Sequence, residues 1–320
     1  MNNLVVAVTS PSFSKNKYLR EALQKLPVEV HYYQEERQAS SEILANYLNS
    51  IKAEAVIVGL EKINDQILDK NPQLKLISKY GVGLDNIDLN IINKYDVKLG
   101  VSSGVNKNSV VELVMTFSLG HSRNVFNSMN LLSAGQWVKN GGKELINCKF
   151  GIVGLGNIGT LLAKKLKAIG LNDIYYSDVI DKSEIEKDLG ITYRGYEDIL
   201  KNCDIISFHV PLNPSTKFML SNNEIKLLKP DALIINTARG EIIDIESCCD
   251  AVINKKIGGL ACDVFPHEPY DTSKYKNMPN LYLTPHIGGN SIEAITNMGM
   301  ASILHVEEYL KNKYNELKLI

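Results

Sequence analysis

The chain has 320 residues, 44% hydrophobic and 22% charged, the proportions of a soluble globular protein with apolar material for two cores and not of a disordered chain. A formal net charge of −1 excludes a broad basic nucleic-acid surface, and the lack of any apolar run of about 18 residues excludes a membrane-spanning helix. Five cysteines (Cys148, Cys203, Cys248, Cys249 and Cys262), odd in number and without a CxxC pair, speak against a disulfide framework or a zinc site and for reduced thiols in the cytoplasm.

The N-terminal MNNLVVAVTS has no basic stretch before its short apolar run, so it reads as a first strand and not as a secretory signal. Strands are expected at Leu4–Thr9, Glu29–Tyr33, Ala55–Gly59, Leu74–Lys79 and Val97–Val101. Helical segments lie between them, near Lys17–Lys25, Ser40–Ile51, Asn64–Asn71 and Leu89–Lys94. This alternation implies a parallel sheet with helices on both faces. A long helical stretch follows, from Asn106 to about Leu132, with Val110, Leu113, Val114 and Phe117 at i, i+3, i+4 and i+7.

A second alternation predicts strands at Phe150–Gly154, Ile174–Ser177, Asp204–Val210, Ala232–Asn236, Gly259–Val264 and Leu281–Leu283, the set of a doubly wound dinucleotide domain. The last helix, about Ser291–Lys311, is followed by no strand and is placed with the first domain. The expected fold is therefore α/β, with two doubly wound parallel-sheet domains and a cleft between them. Residues 1–101 and 291–320 form the substrate-binding domain, which resembles a flavodoxin-like unit. Residues 102–290 form the dinucleotide-binding (Rossmann) domain.

The segment KFGIVGLGNIGTLLAKKL holds GxGxxG as Gly154, Gly156 and Gly159, between a short apolar strand and an amphipathic helix. The first glycine permits the tight turn, the second lets the backbone approach a pyrophosphate, and the third lets the helix pack closely. The helix N-terminus then offers N–H groups and positive dipole to the phosphates. Asp178 stands 19 residues after Gly159, where a carboxylate can accept from both ribose hydroxyls and repel a 2′-phosphate. NAD is thus the expected cofactor.

Arg239, Glu268 and His286 fall just beyond the ends of the three last strands, where open α/β sheets bind ligands. Their segments, INTARGEIID, DVFPHEP and TPHIGG, resemble the D-isomer-specific 2-hydroxyacid dehydrogenase family. The likeness extends to KYGVGLDNID, GVNKNSVVEL, the GLGNIG turn and HVPLNPST, and so covers most of the chain. It implies an NAD-dependent interconversion of a D-2-hydroxyacid and its 2-keto acid. The residue types suit that chemistry. Arg239 can hold carboxylate and carbonyl oxygen through a planar donor fork that Lys cannot copy. His286 can give or take the proton, and Glu268 can orient the imidazole and raise its pKa.

The resemblance also implies cofactor contacts from Gly154, Gly156, Asn157, Ile158, Gly159 and Asp178, from Val210, Pro211 and Thr216, and from Thr237, Ala238 and Asp263. Substrate contacts are implied for Tyr80, Val82 and Gly83, beside Arg239 and His286. The glycine-flanked turn at 81–83 can aim successive N–H groups at a carboxylate. Asn106 reads as a helix cap as well as a cleft residue. His209, in the HVPL segment, reads as a satisfied structural histidine, and His267 as a solvent-facing one. No metal is expected. A homodimer through the helical region 106–137 is implied.

Within the family the outline most resembles phosphoglycerate dehydrogenases without a C-terminal regulatory domain, so a D-3-phosphoglycerate substrate is the first expectation. Such enzymes often carry arginines after the strand that here reads AVIVG, where this chain has Leu60, Glu61, Lys62 and Ile63. A phosphate would have to use Lys62, Lys79 or a residue from a partner subunit. Glyoxylate/hydroxypyruvate or D-lactate-type reduction is the alternative. An NAD-sensing corepressor-like protein is an alternative of another class.

Overall fold

The computed structural model describes residues 3–34, 40–276 and 278–317. The chain divides into two compact units, residues 1–106 with 291–320, and residues 107–290.

The first unit holds β1 (Leu4–Val8), β2 (Val28–Tyr32), β3 (Ala55–Val58), β4 (Leu76–Lys79) and β5 (Lys98–Gly100). They form one parallel sheet in the order β2-β1-β3-β4-β5. Strands β3 and β4 are buried along their whole length, as expected of parallel strands covered on both faces. One apolar cluster gathers around Leu44, Leu48, Ile67 and Ile91, the other around Phe13, Leu19, Leu23 and Val306. The helix Ile292–Leu317 supplies Met298, Ile303, Val306 and Leu310 to the second cluster.

Residues 102–106, assigned from sequence to the second domain, lie with the first. Val105 packs on the cluster with Phe13, and Ser102 Oγ is 3.0 Å from His305 Nε2 on the last helix. Gly100 makes room for that histidine, because a Cβ there would come within 2.4 Å of the ring.

The second unit holds β6 (Phe150–Val153), β7 (Ile174–Ser177), β8 (Thr192–Tyr193), β9 (Ile205–Phe208), β10 (Leu233–Asn236), β11 (Gly259–Cys262) and β12 (Leu281–Leu283). Its parallel sheet runs β12-β11-β10-β9-β6-β7-β8, the doubly wound order with the switch point between β6 and β9. The two-residue β8 is an addition to the six strands expected; it pairs only at Thr192 and Tyr193, too short to give a periodic signal.

The long helical stretch is two helices, Lys107–Ser122 and Val125–Ser133. Asn124 interrupts it with a φ of +51°, while its side chain donates to Asn140 O and Lys143 N–H donates to Ser122 O. Trp137, counted with the helix from sequence, lies beyond its end, after a glycine turn at Gly135 with φ of +77°. Val110, Val111, Val114 and Phe117 are buried core residues. Among the described residues no helix is long and apolar enough to cross a membrane, and no group of three or more His, Cys, Asp or Glu is placed to hold a metal ion.

Candidate active site

The glycine turn follows β6. Gly154 has a φ of +95°, and a Cβ on it would come within 2.8 Å of His209 C and O. A Cβ on Gly159 would sit 2.1 Å from Gly154 O, so only glycine lets the helix Asn157–Ala168 approach the turn this closely. Gly156 differs: a Cβ there would meet nothing within 4 Å, so its backbone faces open space. It is also the N-cap and brings no side chain to occupy the first helical amides. Asn157 is exposed and Ile158 half-buried beside it. Asp178 follows β7. Its Oδ2 accepts from Leu155 N (2.7 Å) and its Oδ1 from Ile180 N (2.9 Å), which aims the carboxylate at the turn while each oxygen keeps a lone pair.

After β9, His209 is half-buried, with Nε2 2.9 Å from Ser207 Oγ and loss of water around the ring pushing its pKa down to about 3. It is therefore a neutral imidazole, but its Nδ1 has no hydrogen-bond partner. Half-buried Val210 and exposed Pro211 lead into a turn that Thr216 closes: its hydroxyl donates to Pro211 O (2.6 Å) and accepts from Asn213 N (2.9 Å). Thr237, 8% exposed, likewise has a hydroxyl without a partner, next to half-buried Ala238. An open glycine amide face, a positioned carboxylate and an orphaned buried hydroxyl at the strand ends fit a dinucleotide.

Arg239 stands after β10, in a turn shaped by Asn236. That buried side chain donates to Arg239 O (2.8 Å) and accepts from Ala238 N (3.1 Å). Sequence reasoning passed over Asn236; an amide at the end of an apolar strand was the available signal. The Arg239 guanidinium donates from Nη1 to Ala238 O at 2.6 Å. Gly240 follows, and a Cβ on it would lie 2.0 Å from Phe265 C, so only glycine lets the Glu268 segment run against the Arg239 turn.

Glu268 accepts from Phe265 N through Oε1 (3.1 Å), and its Oε2 is 2.8 Å from His286 Nδ1. Burial pushes the Glu268 carboxyl up, but the His286 hydrogen bond and charge, the Phe265 N–H and Arg239 together hold it below the usual range. The hydrogen bond to Glu268 raises the His286 pKa against the effect of burial, with Asp263 adding to the rise and Arg239 opposing it. The charge of Arg239 thus acts on both partners, and the three residues named from sequence come together. With Nδ1 turned to Glu268, the Nε2 of His286 remains for a ligand.

His286 has a φ of +54°, a conformation its loop imposes. Asp263 holds that loop: its carboxylate accepts from Thr284 Oγ1 (2.6 Å), Ile287 N (2.7 Å) and Gly288 N (2.6 Å). Asp263 was expected to touch the cofactor. At 1% exposure, with its carboxylate accepting from three donors, it anchors the segment bearing His286. His267 is exposed, its ring 5.1 Å from that of Tyr270.

In the first unit, Gly81 takes a φ of +121° after β4, and Val82 and Gly83 are half-exposed. Tyr80 is buried in the core, edge-on to Phe13 at 5.9 Å; its hydroxyl has no partner and burial pushes its pKa up to about 12. Asn106 does not cap the helix that follows it, for its Oδ1 is buried and accepts no hydrogen bond.

Residues 115–288 match the NAD binding domain of the D-isomer specific 2-hydroxyacid dehydrogenases. A glyoxylate reductase of Pyrococcus furiosus is 32% identical over 275 residues, 83% of this chain and 81% of that protein. A hydroxypyruvate reductase of Thermotoga maritima is 32% identical over 292 residues, 88% of this chain and 94% of that protein. Among solved structures, a D-lactate dehydrogenase of Aquifex aeolicus, complexed with NAD and lactic acid, superposes with a TM-score of 0.83 at 26% identity, over 98% of this chain and 97% of its own.

Proposed function

The chain belongs to the D-isomer-specific 2-hydroxyacid dehydrogenases, NAD-dependent enzymes acting on CH–OH donors, and from that premise we propose that it reduces a small, unphosphorylated 2-keto acid of the glyoxylate or hydroxypyruvate type. The carrying observation is the loop after β3. Glu61 is 3% exposed and accepts from Gly59 N at 2.7 Å. Lys79, also 3% exposed, donates to Gly59 O and, at 2.9 Å, to Asn86 Oδ1. Its charge serves the loop itself and is withdrawn from any phosphate. Of the two lysines named from sequence that leaves Lys62, exposed and without a guanidinium fork, beside the exposed side chain of Leu60. The likeness to a glyoxylate reductase and a hydroxypyruvate reductase supports the same reading over a phosphoglycerate substrate.

In this reading Arg239 holds the carboxylate and polarises the carbonyl, and His286 Nε2 delivers the proton to oxygen. Glu268 keeps the imidazole oriented and favours its protonated form. The turn at 81–83, with Tyr80 before it, offers successive N–H groups suited to an anion. Gly154, Gly156, Gly159 and Asp178 hold the dinucleotide, with the Thr237 hydroxyl as a further contact. When bound, the nicotinamide supplies or accepts the hydride.

NADH oxidation followed by absorbance against glyoxylate, hydroxypyruvate, pyruvate and phosphohydroxypyruvate tests the substrate. Glyoxylate or hydroxypyruvate should give the highest kcat/KM. A preference for phosphohydroxypyruvate would return the reading to phosphoglycerate. NADH binding without turnover on any of the four would favour the corepressor-like alternative.

Glu268→Gln should separate the two directions of reaction by pH. It removes the charge that raises the His286 pKa, so that pKa falls. Reduction needs the imidazolium, so its rate should fail at lower pH than in the unmodified enzyme. Oxidation needs the neutral ring and should extend to more acidic solution. Profiles of unchanged shape in both directions would reject the pair.

A homodimer is part of the same proposal. Leu119, Val125, Met129, Leu132, Trp137 and Val138 are all exposed large apolar side chains in one stretch of chain, more than a solvated surface normally gathers. Light scattering should give twice the 35.6 kDa of one chain; a monomer at micromolar concentration would refute it.

A further inference from the structure

The segment 265–276 carries Glu268, and its only regular element is the short turn Ser273–Tyr275. Such a segment keeps a side chain in place only when its own residues are anchored elsewhere. Here the anchors converge on one carboxylate. Glu246, in the first turn of the helix Ile245–Ile253, accepts hydrogen bonds from the Tyr270 hydroxyl and, at 2.9 Å, from the Tyr275 hydroxyl, and it pairs with the Lys274 ammonium. The helix is itself fixed, with Cys248 and Cys249 fully buried and Asp244 capping its start.

From this node the contacts run without a gap to the reacting histidine. The Tyr270 ring stacks on Phe265, centroids 4.9 Å apart and planes 13° from parallel. Phe265 donates its backbone N–H to Glu268 Oε1, and Glu268 Oε2 meets His286 Nδ1. At the far end Tyr275, 6% exposed, is seated in the core. An exposed pair between one lysine and one glutamate contributes little by itself. Two tyrosine hydroxyls added to the lysine make a three-donor network that fixes geometry. The Lys274 and Tyr270 bonds hold the Glu246 carboxyl down at about 2, so it stays ionised through any working pH.

We propose that Glu246 is the positioning residue of the acid–base pair: it fixes the 265–276 segment so that Glu268 faces His286. The inference rests on the assignment of Glu268 and His286 as that pair. Glu246 itself touches neither of them.

The test is Glu246→Ala and Tyr270→Phe, each alone and combined with Glu268→Gln, with kcat, KM for NADH, thermal midpoint and the pH profile of keto-acid reduction as readouts. Misplacing a reacting group by about 1 Å costs on the order of 10²-fold in rate. Glu246→Ala should therefore lower kcat by about 10–100-fold. The KM for NADH should be unchanged, and the high-pH limit of reduction should move down, as in Glu268→Gln. Tyr270→Phe keeps the ring stack and loses the hydroxyl bond, so it should shift the profile the same way by less.

In the Glu268→Gln background Glu246→Ala should add almost nothing, because both act on one contact. A wild-type kcat and pH profile in Glu246→Ala would overturn the proposal. So would a loss that multiplies in full with that of Glu268→Gln, the mark of a general loss of stability. If Glu246→Ala does not fold, Tyr270→Phe decides by the same readouts. Failure of the underlying pair shows separately, as an active His286→Ala or an unshifted Glu268→Gln.

Discussion

Replacing His286 by Ala is expected to lower kcat for keto-acid reduction by about 10²–10⁴-fold, the range over which a general acid–base group acts. The proton for the developing alkoxide comes from an imidazole whose pKa is raised by Glu268, which favours the protonated ring. Water can replace the proton but not its placement. NADH affinity should hardly change. The glycine turn and Asp178 lie after β6 and β7, and no contact of His286 reaches them. The fold should also persist, because the loop is held by Asp263 through Thr284 Oγ1, Ile287 N and Gly288 N and not by the imidazole. Stopped-flow turnover and NADH titration check the two halves. A variant that turns over within tenfold of the unmodified enzyme would remove His286 from the chemistry.

Arg239→Ala should lower kcat/KM for the keto acid by about 10²–10⁴-fold, from two charge-assisted hydrogen bonds at about 1.5–3 kcal/mol each. Part of the loss should appear in KM, because the carboxylate is held in the ground state as well as in the transition state. Arg239→Lys should recover only part of it, since an ammonium offers a point charge where a planar fork is needed. There is a second, smaller consequence. Arg239 lowers the pKa values of both Glu268 and His286. Its removal should therefore move the His286 titration upward and extend reduction to higher pH, opposite in sign to Glu268→Gln. Steady-state kinetics across pH distinguish the two. An Arg239→Ala enzyme with unchanged KM and kcat for every keto acid would overturn its role.

Much of the fold was legible because parallel strands are covered on both faces. AVIV is a continuous apolar run, IISF and LIIN are each apolar but for Ser207 and Asn236, and the sheet buries all three completely. Gly154, Gly156 and Gly159 could be read from their spacing between an apolar strand and an amphipathic helix, since the turn, the open amide face and the close helix contact are local demands of neighbouring residues. Arg239, Glu268 and His286 could be named because each follows a strand end in a segment that resembles the family, and a fork, a proton carrier and an orienting charge suit the keto acid that this resemblance implies.

What the sequence left open depends on residues far apart in the chain. The break at Asn124 is stabilised by Asn140 and Lys143, and helical periodicity carries no trace of either. Lys79 looked available to a phosphate until the structure turned its ammonium onto Gly59 O and Asn86. The hold of Asp263 on the His286 loop comes from tertiary packing and was not legible in the sequence. Glu246 carried no motif; only the packing of the helix Ile245–Ile253 beneath the 265–276 segment brings its carboxylate to Tyr270, Lys274 and Tyr275. Residue type and period are local properties and determine which elements form and what chemistry they can offer. Which of those groups meet, and which are consumed in holding another in place, is set by chain closure over tens of residues, and the tertiary structure alone decides it.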